Sequence, residues 1–194
     1  MKRKHTVDAV SECLIALGGN LPSAVGDPDQ TLKHAIRFLV ARGLELRAVS
    51  RFFITPCFPA GTGPDYANAV ISVCYSGQPV DLLEELHTTE AEFLRVREQR
   101  WGMRTLDLDL LAFDAEVRPD ARIYKYWQKL SLEDQINSTP DELVLPHPRI
   151  QDRAFVLIPL FDIRPDWKHP ILGKSCRQLV GELSEEARAE VRPL

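Results

Sequence analysis

Long hydrophobic runs are absent from this sequence, and so are internal repeats and low-complexity tracts. The first five residues are basic, but no apolar stretch is long enough to act as a signal sequence or to span a membrane. The sequence therefore predicts a cytoplasmic protein with no membrane segment. Its 194 residues are expected to form a single domain, residues 1–194, that begins with a loose tail over residues 1–11.

Cysteine is also scarce, and positive charge is not in excess. The four cysteines form no Cys-x-x-Cys pair and lie mostly in apolar or mixed runs, which predicts buried, reduced thiols. The formal net charge of -4 argues against a general affinity for nucleic-acid backbones, because such binding needs a basic surface. A local basic patch could still hold a polyanion.

Apolar periodicity predicts the order strand, helix, strand, strand, helix, strand over the first 113 residues. This order is typical of a ferredoxin-like α+β fold, in which an antiparallel four-stranded sheet packs against two helices. The second strand is expected to run from Leu44 into Ile54. Residues from about 115 to 142 read as a polar, irregular insertion with one short helix near Leu132, and a further helix is expected to begin near Ser175.

Two aspartates in an alternating strand give the most specific indication of chemistry. In the run from Thr105 to Leu111, the leucines at even positions share one face, and Asp107 and Asp109 share the other. The rise of a strand places the two carboxylates roughly 6–7 Å apart. Oxygen ligands select a hard cation, and magnesium typically takes one or two carboxylates together with substrate phosphates. The alternative is an amphipathic strand with a solvated acidic face.

The segment before this strand is strongly basic. Residues 95–104 hold four arginines against one glutamate, a local charge of +3. Arginine presents a planar fork that suits phosphate oxygens, and Trp101 offers a face for stacking. A solvated helix end is the alternative, but cationic and anionic clusters side by side favour a metal–polyphosphate complex.

Two further segments carry weaker indications. Prolines on both sides of His147 hold the backbone extended, and Arg149 and Arg153 add positive charge nearby. Asn68, in the string Pro-Asp-Tyr-Ala-Asn, offers both a donor and an acceptor to the edge of an amide-like heterocycle. Each segment alone is equally compatible with a structural role.

Taken together, these four segments resemble 6-hydroxymethyl-7,8-dihydropterin pyrophosphokinases, enzymes of folate biosynthesis. The similarity runs from about Leu14 to Phe161, and its most specific part is the string Arg-Trp-Gly-x-Arg-Thr-Leu-Asp-Leu-Asp at residues 100–109. The strings Pro-His-Pro-Arg and Arg-Ala-Phe, at residues 146–149 and 153–155, add independent support.

The resemblance implies attack by the pterin hydroxymethyl oxygen on the β-phosphorus of ATP, with release of AMP. It implies that Asp107 and Asp109 bind two magnesium ions, and that Arg95 and Arg104 act in catalysis. The implied ATP-binding residues are Glu90, Arg97, Arg100, His147 and Arg153. The implied pterin-binding residues are Thr55, Pro56, Phe58, Tyr66, Asn68, Trp101 and Phe155.

Phosphoryl transfer depends on alignment and charge neutralisation more than on covalent help, and this residue set can supply both. The expected partners are ATP and the pterin, with no nucleic acid and no membrane, and the protein is expected to be a monomer. The chain departs from the family pattern at Gly19, His87 and Met103, where serine, glutamine and proline are common.

Two alternatives stay open at this point. One is a different magnesium-dependent kinase or nucleotidyltransferase, which the product nucleotide would distinguish. The other is a non-catalytic ferredoxin-like module that binds nucleic acid through its arginines, which would leave the aspartate pair without a purpose.

Overall fold

The computed structural model describes residues 10–57, 61–93 and 103–194, and the first elements follow the predicted order. The elements are β1 (Ser11–Gly19), α1 (Pro28–Ala41), β2 (Glu45–Val49), β3 (Phe53–Thr55), β4 (Tyr66–Tyr75), α2 (Pro79–Glu92), β5 (Asp107–Phe113), α3 (Ala121–Lys129), α4 (Leu132–Asn137), a 3-10 turn (Ile150–Asp152), α5 (Ala154–Ile163), α6 (Cys176–Glu182), α7 (Glu185–Ala189) and β6 (Arg192–Pro193).

All strand pairs are antiparallel, and the sheet order is β5-β1-β4-β3-β6, with β2 also paired to β4. The antiparallel sheet and its packed helices confirm the predicted ferredoxin-like α+β class. The described sheet has six strands rather than four, because β2 and β3 are separate strands that lie end to end along β4 and because β6 extends the edge.

The break between β2 and β3 falls at Ser50, where a continuous strand was predicted. The Ser50 backbone N–H donates to the carbonyl of Val70 at 2.9 Å, and the Val70 N–H returns to the Ser50 hydroxyl at 3.0 Å. A side-chain oxygen therefore replaces the backbone carbonyl as acceptor. The regular ladder is interrupted at this residue without leaving a buried donor unpaired.

Strand alternation divides the core into two layers. Side chains of β1 such as Ile15 and Leu17 pack with Leu32 of α1 and Leu86 of α2 on one face of the sheet. Neighbouring Leu14 faces the other way, into a second cluster with residues of α5 and α6. The two predicted helices therefore cover one face, and the C-terminal helices cover the other.

Both predicted helices on the first face begin with proline in their first turn. Asp27 and Gln30 form a capping box at the start of α1, and Gln78 and Asp81 form one at the start of α2. Gly43, with a φ of 103°, follows the end of α1, as its position in the sequence predicted.

The prediction of an irregular segment over residues 115–142 is wrong at residues 121–129, which form α3, whereas α4 (Leu132–Asn137) confirms the short helix predicted near Leu132. Helix α3 occupies its centre, and Asp120 caps that helix by accepting hydrogen bonds from the N–H groups of Arg122 and Ile123. Tyr124 of this helix is fully buried. The helix was missed although it is amphipathic, because its apolar face is short (Ile123, Tyr124 and Trp127) and is surrounded by basic and polar residues.

Several smaller expectations also have an outcome. Strand β1 begins at Ser11, inside the stretch expected to be a loose tail, whereas α6 begins directly after Ser175 as predicted. The four cysteines are free thiols, three of them buried. In the described parts of the chain, no helix is long and apolar enough to cross a membrane.

Candidate active site

Strand register gathers the predicted site residues at one end of the sheet. Asp107 on β5 pairs with Gly18 on β1, and Gly18 pairs with Asn68 on β4. Residues in register on neighbouring strands project to the same face, so Asp107 and Asn68 flank Gly18 at a separation of about 10 Å, twice the spacing between strands. The missing side chain at Gly18 matters because a Cβ there would lie 3.3 Å from Asn68 Oδ1.

The two aspartates lie on the face predicted for them. Leu106 and Leu108 are buried in the core, whereas the side chains of Asp107 and Asp109 are 23% and 34% exposed. Each carboxylate has a cationic partner. Arg104 Nη1 donates to Asp107 Oδ2 at 2.5 Å, and Arg153 Nη1 donates to Asp109 Oδ2 at 3.3 Å. The acidic pair is therefore an electrostatically paired cluster and not a solvated face.

Arg104 is held in place through its backbone by Asn20. The Arg104 N–H donates to Asn20 Oδ1 at 2.9 Å, and the Arg104 carbonyl accepts from the Asn20 N–H at 2.9 Å. Asn20 Nδ2 donates to the carbonyl of Pro64 at 3.1 Å. One buried amide thus connects the segment before β5 to the segment before β4. Asn20 was not among the predicted site residues, although its place in the turn directly after the Gly-Gly end of β1 was a signal that could have identified it.

A polar cluster lies beside this arrangement, where the paired ends of β3 and β4 meet. Asn68 and Thr55 are both nearly buried, and Asn68 Nδ2 donates to the Thr55 hydroxyl at 2.8 Å. Tyr66 pairs with Thr55 in register, and burial raises the pKa of its phenol. Pro56 follows Thr55 and is exposed. Four of the residues expected around the pterin therefore lie together.

The residues expected around the phosphates approach from the other side of β5. The His147 N–H donates to the carbonyl of Leu111 on β5 at 2.8 Å, and His147 Nδ1 accepts from the N–H of Arg149 at 3.1 Å. Burial, together with the nearby Arg153 and Arg149, lowers the pKa of His147 to about 3. Its ring is therefore neutral, and with Nδ1 as acceptor it presents an Nε2–H donor.

Phe155 and Glu90 differ in their surroundings. Phe155 is 40% exposed in the first turn of α5, and the Arg153 guanidinium lies 5.6 Å from its ring centre.

Glu90 is only 2% exposed, and its Oε1 accepts the N–H of Leu108 at 2.8 Å. Glu90 thereby fixes α2 to β5 beside the aspartates, and its expected contact with the nucleotide stays a prediction.

The remaining expected site residues lie outside the described residues. They are Phe58, Arg95, Arg97, Arg100 and Trp101.

The donor set fits a magnesium ion that is shared with a substrate. In the described ranges, no group of three or more His, Cys, Asp and Glu side chains could hold a metal without other ligands. Asp107 and Asp109 supply hard carboxylate oxygens, which is the partial set that magnesium uses when phosphate oxygens complete its coordination. The flanking arginines suit the same phosphates.

Comparison with known proteins agrees with this chemistry. The family model for 7,8-dihydro-6-hydroxymethylpterin-pyrophosphokinase (HPPK) matches residues 14–165. A Synechocystis 2-amino-4-hydroxy-6-hydroxymethyldihydropteridine pyrophosphokinase is 33% identical over 181 residues, covering 93% of this chain and 80% of the relative. The Haemophilus influenzae protein of the same name is 32% identical, covering 92% and 97%.

Solved structures share the fold at lower identity. A Plasmodium falciparum HPPK-DHPS wild-type structure superposes with a TM-score of 0.62 and 16% identity, and it covers 92% of this chain. An HPPK-DHPS structure in complex with substrates has a TM-score of 0.66, 15% identity and 95% coverage. This chain spans 42% and 46% of those two longer chains, so they support the fold only.

Proposed function

This chain belongs to the 7,8-dihydro-6-hydroxymethylpterin-pyrophosphokinase family, and we propose that it carries out the family's reaction at the acidic end of β5. The activity is transfer of the pyrophosphoryl group of ATP to the hydroxymethyl oxygen of 6-hydroxymethyl-7,8-dihydropterin, with release of AMP, in folate biosynthesis. The observation that supports this location is the row in which Asp107, Gly18 and Asn68 stand side by side on neighbouring strands.

In this proposal Asp107 and Asp109 hold two magnesium ions that come with ATP. Bound magnesium neutralises phosphate charge and aligns the attacking and leaving oxygens. Arg104 and Arg153 already contact the two carboxylates, so both guanidinium groups lie within reach of phosphates bound there. The His147 Nε2–H adds a neutral donor. Arg95, Arg97, Arg100 and Glu90 complete the proposed phosphate and nucleotide site.

The pterin is proposed to lie beside the phosphates, over the joined ends of β3 and β4. Asn68 and Thr55 offer polar groups at the floor, with Pro56, Phe58 and Tyr66 as lining. Stacking between Trp101 and Phe155 would bury the flat ring and exclude water around the phosphates. The separation of about 10 Å between Asp107 and Asn68 leaves room for a ring on one side and a metal on the other.

The remaining expectations concern assembly and location. We propose a monomer that acts in the cytoplasm, and the four free cysteines are consistent with a reducing compartment. The alternatives of a simple kinase, a nucleotidyltransferase or a nucleic-acid-binding module are not favoured by the family match.

The reaction is tested by incubating the enzyme with magnesium, ATP and the hydroxymethyl-dihydropterin and then resolving the nucleotides. AMP should form in proportion to pterin, and omission of pterin should abolish it. Asp109→Asn, prepared in the same way, controls for contaminating enzymes. Accumulation of ADP in place of AMP would identify a simple kinase and contradict the proposal.

A further inference from the structure

Helix α3 is joined by side chains to the loop that presents the phosphate-binding residues, here the His147–Arg153 loop. Tyr124 is fully buried, and its hydroxyl lies 3.2 Å from Gln151 Oε1 and 3.0 Å from His169 Nε2. His169 Nδ1 accepts the N–H groups of Ile171 and Leu172, so the neutral ring must donate from Nε2. The Tyr124 hydroxyl therefore accepts from His169 and donates to Gln151.

Gln151 passes this connection on to the rest of the loop. Its Nε2 donates to the carbonyl of Pro148 at 2.8 Å and to Asp152 Oδ2 at 3.0 Å. Pro148 directly follows His147, and Asp152 directly precedes Arg153. The hydrogen-bond chain from Tyr124 thus ends beside His147 and Arg153, the two residues of this loop that are expected to contact ATP.

A second connection is made at the opposite end of the helix. Arg149 donates to the carbonyl of Gln128 at 3.0 Å and to that of Leu130 at 2.7 Å, and its Nη1 also contacts Asp152 Oδ2 at 3.0 Å. These carbonyls belong to the last turn and the end of α3, where the helix dipole favours a cation. Arg149, although it stands in the Pro-His-Pro-Arg string, is thereby engaged with α3.

The loop is consequently held between two elements. On one side, β5 binds it through the His147 N–H and through Arg153, which reaches Asp109. On the other side, α3 binds it through Tyr124 and Arg149. The loop's own backbone hydrogen bonds are those of the 3-10 turn at Ile150–Asp152 and its flanks, so a fixed conformation also depends on the contacts with β5 and α3.

We propose that α3 is a positioning element for ATP binding, and that Tyr124 is the positioning residue that fixes the His147–Arg153 loop. This inference rests on the proposed function, because it assumes that the loop contacts the phosphates. It gives the segment over residues 121–129 a function in nucleotide affinity. Tyr124 itself lies in the core and acts only through the loop.

The test compares variants that remove one buried hydroxyl each. Tyr124→Phe keeps the ring and removes the bonds to Gln151 and His169. Ser72→Ala is the matched control. Ser72 lies on the central strand β4, and its hydroxyl is also buried and has two hydrogen-bond partners, Glu12 and Arg164. Thermal unfolding, the Kd for magnesium–ATP and the KM for each substrate are measured for both variants.

We expect Tyr124→Phe to raise the Kd and KM for ATP about threefold to tenfold, with kcat and the KM for pterin changed less than twofold. Ser72→Ala should lower the thermal midpoint but leave ATP affinity unchanged. Gln151→Ala removes the bond to Tyr124 from the loop side and should raise the Kd and KM for ATP by a similar factor. The Tyr124→Phe/Gln151→Ala double variant should weaken ATP binding little more than Gln151→Ala alone, since Gln151→Ala already removes the Tyr124 bond together with the bonds to Pro148 and Asp152.

The inference is overturned if Tyr124→Phe and Gln151→Ala leave ATP affinity unchanged, or if Ser72→Ala weakens it equally. Arg153→Ala distinguishes a failure of the proposed phosphate site from a failure of the positioning role of Tyr124. If Arg153→Ala weakens ATP binding and the Tyr124 variant does not, only the positioning role is wrong. If Arg153→Ala has no effect on ATP binding, the proposed phosphate site is wrong, and the positioning role fails with it.

Discussion

Arg104 Nη1 donates a hydrogen bond to Asp107 Oδ2 across 2.5 Å, so a guanidinium and a proposed metal ligand are in direct contact at the start of β5. The side chains are 18% and 23% exposed, so both are accessible from solvent. Exchange of this contact for phosphate oxygens would require Arg104 to reorient. A residue that reorients in this way is expected to contribute most in the transition state.

Replacement of Arg104 should therefore slow chemistry more than it weakens binding. We expect Arg104→Ala to lower the single-turnover rate by on the order of a hundredfold, with a much smaller change in the Kd for ATP. Arg104→Lys keeps the charge without the planar fork, and its single-turnover rate should lie between those of the wild type and Arg104→Ala. A large loss of nucleotide affinity with an unchanged single-turnover rate would contradict this assignment.

The end of β1 leaves no room for a side chain at Gly19. A Cβ at this position would lie 2.4 Å from the carbonyl oxygen of Thr105, which precedes β5. Gly19→Ala should therefore displace the segment that carries Arg104, lower kcat and destabilise the fold by about 1–3 kcal/mol. Gly181→Ala is the control, because Gly181 lies in α6 with open space around it and should be neutral or slightly stabilising. Equal unfolding free energies for both variants would refute the steric argument.

The sequence predicted the parts of this molecule that depend on local patterns. The alternating Leu and Asp residues of β5 placed Asp107 and Asp109 on the correct face, since period-two alternation needs no knowledge of the partner strand. The proline starts of α1 and α2 were equally local. Family resemblance then supplied the function.

What the sequence could not predict depends on contacts between distant residues. Asn20 reaches Arg104 and Pro64, which are 84 and 44 residues away. Its place after Gly18-Gly19 marks a turn, but no local pattern identifies these partners. The contacts that secure α3 are also long-range, because Tyr124 bonds to Gln151 and His169, which lie 27 and 45 residues further along the chain.

The aromatic sandwich around the pterin is tested by fluorescence. Trp101→Ala should weaken pterin binding about tenfold to a hundredfold, as stacking energies of roughly 1–3 kcal/mol indicate, with less effect on ATP alone. In a Trp127→Phe, Trp167→Phe background, bound pterin should quench the remaining Trp101. Phe155→Ala should give a similar loss of pterin affinity, since Phe155 is already 40% exposed and contributes little to the core. Fluorescence that does not respond to saturating pterin would show that Trp101 lies outside the pocket.

Buried His169 should make stability depend on pH. Burial lowers the pKa of His169 to about 4, so the unfolded chain binds a proton between that value and its ordinary pKa of about 6.5, whereas the folded chain does not. The stabilisation is complete above pH 6.5 and declines as pH falls toward 4. By pH 5 the loss should be about 2 kcal/mol in the free energy of unfolding.

Urea unfolding at pH 7.5 and pH 5 measures this loss, with His169→Gln as the comparison. The variant should be less stable at pH 7.5 but should lose less on acidification than the wild type. The variant will keep part of the dependence of unfolding free energy on pH, because burial lowers the pKa of His147 as well. An unchanged pH dependence in the variant would exclude His169 as a source.

The central claim is that Asp107 and Asp109 hold the metal that accompanies ATP, and binding of Mn²⁺ to the enzyme with a non-hydrolysable ATP analogue tests it most directly. Electron paramagnetic resonance should detect Mn²⁺ bound in the wild-type complex. Asp107→Asn or Asp109→Asn should weaken Mn²⁺ binding at least tenfold and abolish AMP formation. Circular dichroism should be unchanged, because both side chains lie on a partly exposed face. Asp29→Asn, in the first turn of α1 and paired with Lys33, should behave as wild type. Mn²⁺ binding and turnover close to wild type in either β5 variant would contradict the claim.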